Sequence, residues 1–205
     1  MIEEGPDHSK LSDGQLWTQL KANDQHALNT IYLRYIRSLY NYGFKIAQDD
    51  KLVEDVIQDL FVDFWEKRHR LSDVENVEAY LFKAFKRRLL REIHRLKKRT
   101  SLGLSDDLLD YEFPLQPSIQ SEFINEEEQR SQQDRLAEAL KRLTPRQREA
   151  IFLKYQQKLS FAEVAQVMEI ETKAIYKLMS RAINTLKENM KLGMLACTLL
   201  LSDFL

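Results

Sequence analysis

Cysteine is nearly absent from this chain of 205 residues. The one thiol, Cys197, excludes an internal disulfide framework and any metal site built from cysteines alone, and it suits a reducing compartment. Glycine and proline are scarce as well, at five and four residues. No proline falls between Pro6 and Pro114, so a long stretch is free to be helical. Neither charge sign dominates, with 31 Lys and Arg against 32 Asp and Glu. That balance does not exclude a polyanionic partner, because the charges are segregated along the chain. The longest apolar run, Leu192–Leu201, is half of the ~20 residues a membrane-spanning helix needs. The opening MIEEGPDHSK lacks both the basic start and the apolar core of an export signal, so a cytoplasmic protein is expected. There is no internal repeat, glycine-rich phosphate loop or nucleophile elbow. His8, His26, His69 and His94 show no ligand spacing. No cofactor, metal or small-molecule substrate is implied, and an enzyme is not expected.

What is present is helix-forming. A hydrophobic content of 43% with so few helix breakers predicts an all-α chain. The richest segment is Leu143–Lys187. Thr144 and Gln147 have the spacing of a capping box with Pro145 at the first helical position, and Ser160 with Glu163 repeats the device. The apolar run Phe161, Val164, Ala165, Met168 then meets Glu169-Ile170-Glu171-Thr172, with Ile170 read as the buried residue of a tight turn and Thr172 as a new N-cap. In the helix that follows, Ile175, Leu178, Met179, Ala182, Ile183 and Leu186 form one apolar stripe. Lys173, Tyr176, Lys177, Ser180, Arg181 and Asn184 are left facing outward. This pattern is a helix-turn-helix whose last helix carries side chains suited to phosphates and base edges, so DNA is the expected partner. Base readers and phosphate contacts are not separable from spacing alone.

The first half reads as one helical domain. Ser12 and Gln15 form a capping box ahead of Leu16, Trp17 and Leu20, and Ala27, Ile31, Tyr35, Leu39 and Tyr42 line a second helix. Asp49-Asp50 starts a third, with Val53, Val56, Ile57, Leu60, Phe61, Phe64 and Trp65 as its buried stripe. Glu54, Asp55, Gln58, Asp59, Asp63 and Glu66 face outward, which makes this an acidic helix. Ser72 and Glu75 have capping-box spacing before a long helix over 77–99, whose buried line is Leu81, Phe85, Leu89, Ile93 and Leu96. From Lys83 to Arg99 nine basic residues stand against Glu92 alone, an electrostatic footprint for a polyanion. Tyr80 and Phe82 beside it are candidates either for base stacking or for core packing.

Between these regions the composition shifts. Residues 100–130 gather Pro114, Pro117 and a series of acids and form an acidic linker. The expected organisation is therefore two helical domains, 1–99 and 131–190, with an apolar tail over 191–205. One rival is a stand-alone regulator whose first domain senses or dimerises. Another is a metal-dependent nuclease using Asp55, Asp59 and Asp63, although like charges on one exposed helix face are more often a solvated or partner-binding surface.

The order of parts is more specific than any one of them: DDKLVEDVIQDLFVDFWEKRHRL, then AYLFKAFKRRLLREIHRLKKR, an acidic linker, and LTPRQREAIFLKYQQKLSFAEVAQVMEIETKAIYKLMSRAINTLK. Over roughly residues 12–99 and 134–188 this resembles the extracytoplasmic-function (ECF) group of the sigma-seventy family. The resemblance implies a promoter-recognition subunit that binds the beta-prime clamp helices of core RNA polymerase through Asp55, Gln58, Asp59 and Asp63. It implies capture of the minus-10 element by the 69–76 loop and the next helix, through Asn76, Tyr80, Lys83, Lys86, Arg87 and Arg91. It assigns the minus-35 element to Thr172, Lys173, Tyr176, Lys177, Ser180 and Arg181. An anti-sigma protein, soluble or membrane-anchored, is the implied regulator. Two positions depart from the family pattern: Glu169 stands where Gly is common, and Arg87 where Asn is frequent.

Overall fold

The computed structural model describes residues 8–100, 111–115 and 126–190. Cys197 and the apolar tail lie outside the described residues, as does most of the expected linker. The chain divides into two compact units, Met1–Tyr111 and Glu112–Leu205. No strand occurs among the described residues.

The first unit holds α1 (Asp13–Lys21), α2 (Gln25–Ala47), α3 (Asp50–Lys67) and α4 (Val77–Thr100). Each start follows from a side chain that supplies an acceptor to a helix-end N–H. Ser12 and Gln15 close the capping box of α1, Asp24 accepts from the backbone of His26 and Ala27, and Asp49 accepts from Leu52. The cap of α4 differs from the expected one. Asn76 Oδ1 accepts from the N–H of Ala79 at 2.7 Å, whereas the Ser72 carbonyl is taken by the indole N–H of Trp17 at 3.0 Å.

These four helices enclose one core. Leu16, Leu20, Ile31, Leu39, Tyr42, Leu81, Phe82, Phe85 and Leu89 are fully buried in it. Phe82 is thereby assigned to packing, with its ring 5.3 Å from that of Tyr42. Three expected core positions are corrected. Leu96 is 40% exposed, Ile93 is only half-buried, and Trp65 is half-buried as well, with the Arg68 guanidinium 4.1 Å over its ring.

The second unit holds α5 (Glu126–Lys141), α6 (Pro145–Ile151), α7 (Phe161–Met168) and α8 (Thr172–Met190). Thr144/Gln147 and Ser160/Glu163 both form reciprocal capping boxes, as their spacing predicts. Between α6 and α7 runs a π-helical turn, Phe152–Gln156, which no sequence signal announced. Leu136, Ala139, Leu140 and Leu143 pack on Ala182 of α8. Phe113 is fully buried and meets Phe152 edge-on at 5.5 Å, while Arg148 reaches Glu112 at 3.2 Å. The Glu112–Leu115 segment is thus part of this unit, despite the tether expected there.

Candidate nucleic-acid interfaces and an acidic docking face

The turn between α7 and α8 sets the second-unit site. Glu169 adopts φ 55°, ψ 44°, a left-handed conformation, and its N–H bonds to the Ala165 carbonyl. Ile170 bonds the same carbonyl at 3.1 Å, which stops α7 and turns the chain. Ile170 is half-buried, so it closes the turn less completely than expected. The Glu171 carbonyl takes the N–H groups of Ala174 and Ile175, so α8 begins with Thr172 as its first residue and not as its cap. Ile175, Met179 and Ala182 are buried under the helix. Thr172, Lys173, Tyr176, Lys177, Ser180 and Arg181 are all exposed, and so lie where a major groove can reach them.

In the first unit the basic helix is more divided than its sequence suggests. Arg87 and Arg91 are exposed, Arg91 Nε donating to the Arg87 carbonyl at 3.1 Å, and Lys83 is half-buried. Lys86 is not on the open face. It is only 7% exposed, its ammonium 5.5 Å from the centre of the Tyr111 ring, so its charge is covered by an aromatic and is removed from the expected set of DNA contacts. Asn76 is half-buried, and its side-chain oxygen caps α4. Tyr80 is half-buried, its ring 5.4 Å from Trp17 and 5.9 Å from Phe64, which fixes it at the foot of the 69–76 loop.

The acidic helix presents Asp55, Gln58 and Asp59 to solvent, but Asp63 is partly covered. Arg88 of α4 hydrogen-bonds Asp63 and reaches Asp59 at 3.3 Å, and Lys67 bridges to Asp63 at 3.2 Å. Burial works against ionisation of Asp63, yet the hydrogen bonds from Arg88 and Lys67 outweigh it and hold the carboxyl below its usual value. Arg88 therefore joins the acidic and basic helices, a role invisible in either helix alone. Spacing along α3 also missed its neighbour. A groove of about 930 Å³ runs between α2 and α3, lined by Leu28, Tyr32 and Ile36 on one side and Gln58, Val62 and Glu66 on the other. Val62 is 49% exposed, an apolar residue inside an acidic border.

Among the described residues no three His, Cys, Asp or Glu side chains come together as a metal site. No helix there is long and apolar enough to cross a membrane. A helix-turn-helix with an exposed cationic helix, and a separate unit with a second cationic face beside an acidic one, define a DNA-binding protein with a further docking surface. Residues 31–99 match the family model for sigma-70 region 2, and residues 133–186 match that for sigma-70 region 4. The chain belongs to the sigma-70 family, in its ECF group, and is an RNA polymerase sigma factor acting in transcription initiation. It is 26% identical over 160 residues to the ECF RNA polymerase sigma factor SigM of Bacillus subtilis, a match covering 78% of this chain and 93% of that one. The fold is shared with CnrH, solved in complex with the cytosolic domain of CnrY, at 23% identity and a TM-score of 0.54, covering 86% of this chain and 95% of that one. It is shared also with the sigma factor RpoE of Bartonella quintana, solved with the anti-sigma factor NepR, at 21% identity and a TM-score of 0.53, covering 80% and 97%.

Proposed function

We propose that the two units divide promoter recognition between them. The first unit docks on the beta-prime clamp helices of core RNA polymerase through Asp55, Gln58 and Asp59, with Asp63 shared with Arg88. The α2–α3 groove extends that seat, since an apolar floor with an acidic rim suits a partner helix carrying both apolar and basic residues. Beside it on α4, Tyr80, Lys83, Arg87 and Arg91 take the minus-10 element, the cations holding phosphates while a base leaves the stack. Unstacking costs a few kcal/mol, which phosphate contacts and a fitted pocket offset. In the second unit α8 enters the major groove of the minus-35 element. Thr172, Lys173, Lys177, Ser180 and Arg181 supply phosphate and base contacts there.

The observation that carries this reading is the pairing of an acidic helix, α3, with a basic one, α4, in one unit, while the helix-turn-helix occupies the other. A stand-alone regulator has no use for the acidic face. The protein is not an enzyme by itself and acts in the cytoplasm. An anti-sigma protein, free or membrane-anchored, restrains it by covering the docking and DNA faces, a reading supported by the complex of its structural neighbour RpoE with the anti-sigma factor NepR.

Run-off transcription with purified core polymerase and a randomised promoter library tests the proposal. The chain should confer initiation at a two-part promoter. Specific duplex binding by the free chain, with no association with core polymerase, would instead establish the regulator.

A further inference from the structure

The exposed face of α8 contains one large ring among its cations. Tyr176 is 55% exposed, yet its ring is not loose. It lies 4.5 Å from the ring of Phe161 at an interplanar angle of 38°. Phe161, the first residue of α7, is half-buried, and the ammonium of Lys154, a residue of the π-helical turn, sits 4.9 Å from its centroid. Lys154 is held in turn, donating to the Leu159 carbonyl at 3.2 Å. A cation, a half-buried ring and an exposed ring are thus in successive contact, the exposed ring at solvent. Ordering the outermost ring before DNA arrives removes much of the entropy cost of using it. Lys173 and Lys177 on the same helix are exposed, which brings a phosphate backbone to this surface.

A fixed aromatic surface in a major groove has one distinctive base target. Thymine alone among the four bases carries a methyl group on its major-groove edge, and apolar side-chain contact is how that methyl is read. We propose that Tyr176 is a specificity-determining residue that packs its ring on a thymine methyl within the minus-35 element, with Phe161 as its positioning residue. This rests on the sigma-factor reading above. The contact needs no hydroxyl, so the ring is the recognising group.

Core polymerase loaded with the full chain, on a promoter selected from the randomised library, tests the assignment. Each thymine of the minus-35 element is replaced in turn by deoxyuridine, which removes the methyl and nothing else. At one position promoter affinity should fall about fourfold, the worth of one buried methyl. Tyr176→Ala should abolish that response to methyl removal, and Tyr176→Phe should keep it. Phe161→Leu should diminish it without changing affinity for core polymerase, and Phe161→Tyr should restore it. If no position responds to deoxyuridine, if Tyr176→Ala responds as the wild type does, or if Tyr176→Phe loses the response, the inference is overturned while promoter selection stands. If the loaded polymerase selects no promoter, the underlying functional reading falls and takes this one with it.

Discussion

Gly43 stands in the middle of α2, where a glycine costs helix stability unless something needs the space. Something does: a Cβ built there would lie 2.6 Å from Cζ of Phe85 and 3.0 Å from Cγ1 of Val53. The missing side chain lets α3 and α4 close on α2. Gly43→Ala should therefore destabilise the first unit by about 1–3 kcal/mol despite the better helix propensity of alanine, because Phe85 is fully buried and cannot move away. Urea denaturation reads this directly, and a stabilised variant would contradict the packing. Glu169 is the opposite case. It carries a Cβ through a left-handed turn, φ 55°, where glycine would be unstrained. Glu169→Gly should stabilise the second unit by about 0.5–1 kcal/mol once the extra flexibility of glycine in the unfolded chain is deducted, and so raise its melting temperature. An unchanged or lowered melting temperature would mean that contacts of the Glu169 side chain outweigh the strain.

Helix starts were readable wherever the cap and its partner are local. The boxes at Ser12/Gln15, Thr144/Gln147 and Ser160/Glu163 form as their spacing predicts, because each needs only four consecutive residues. Thr144→Ala and Ser160→Ala should each cost about 1 kcal/mol in chemical denaturation. Ser72 and Glu75 have the same letters and make no start, since a residue 55 positions away, Trp17, takes the Ser72 carbonyl and Asn76 lies closer to the helix. The same limit explains Lys86 and Asp63. Whether a cation on α4 faces water, the Tyr111 ring or the carboxylates of α3 depends on how helices are set against one another, which periodicity within one helix does not encode. The α3–α4 bridge has a pH signature. With its pKa in the fold below the ordinary aspartate value of 3.8, Asp63 contributes stability that is fully present above that value and lost as pH falls through the lower one. Asp63→Asn should flatten the loss of stability below about pH 4, and Arg88→Ala should do the same by removing the partner. An acid limb identical to the wild type's in both variants would show that the bridge contributes nothing in solution.

The near-equality of 31 basic and 32 acidic residues conceals surfaces of opposite sign that suit partners of opposite sign. The division of the chain into separate helical units with a helix-turn-helix in the second followed from composition and capping. The α2–α3 groove did not, since its two walls come from helices whose outward residues each look merely solvated. Charge reversal distinguishes the surfaces. Asp59 is exposed and engages Arg88 only at 3.3 Å, so Asp59→Arg should leave the helical content and melting temperature nearly unchanged. If that face meets cations of core polymerase, as proposed, the new charge should weaken the association at least tenfold, and the deficit should shrink as salt screens it. Arg91→Ala should do the reverse. Polymerase affinity should hold, while promoter binding weakens evenly across sequences and its dependence on the logarithm of salt concentration becomes shallower by about one. Losing both activities in Arg91→Ala, or weaker promoter binding by Asp59→Arg when core polymerase is saturated with it, would mean that the two faces are not separate surfaces, and the division of labour proposed for the first unit would fail. Losing neither would assign α3 and α4 to some other partner, because an exposed charge that can be reversed without effect is not at an interface.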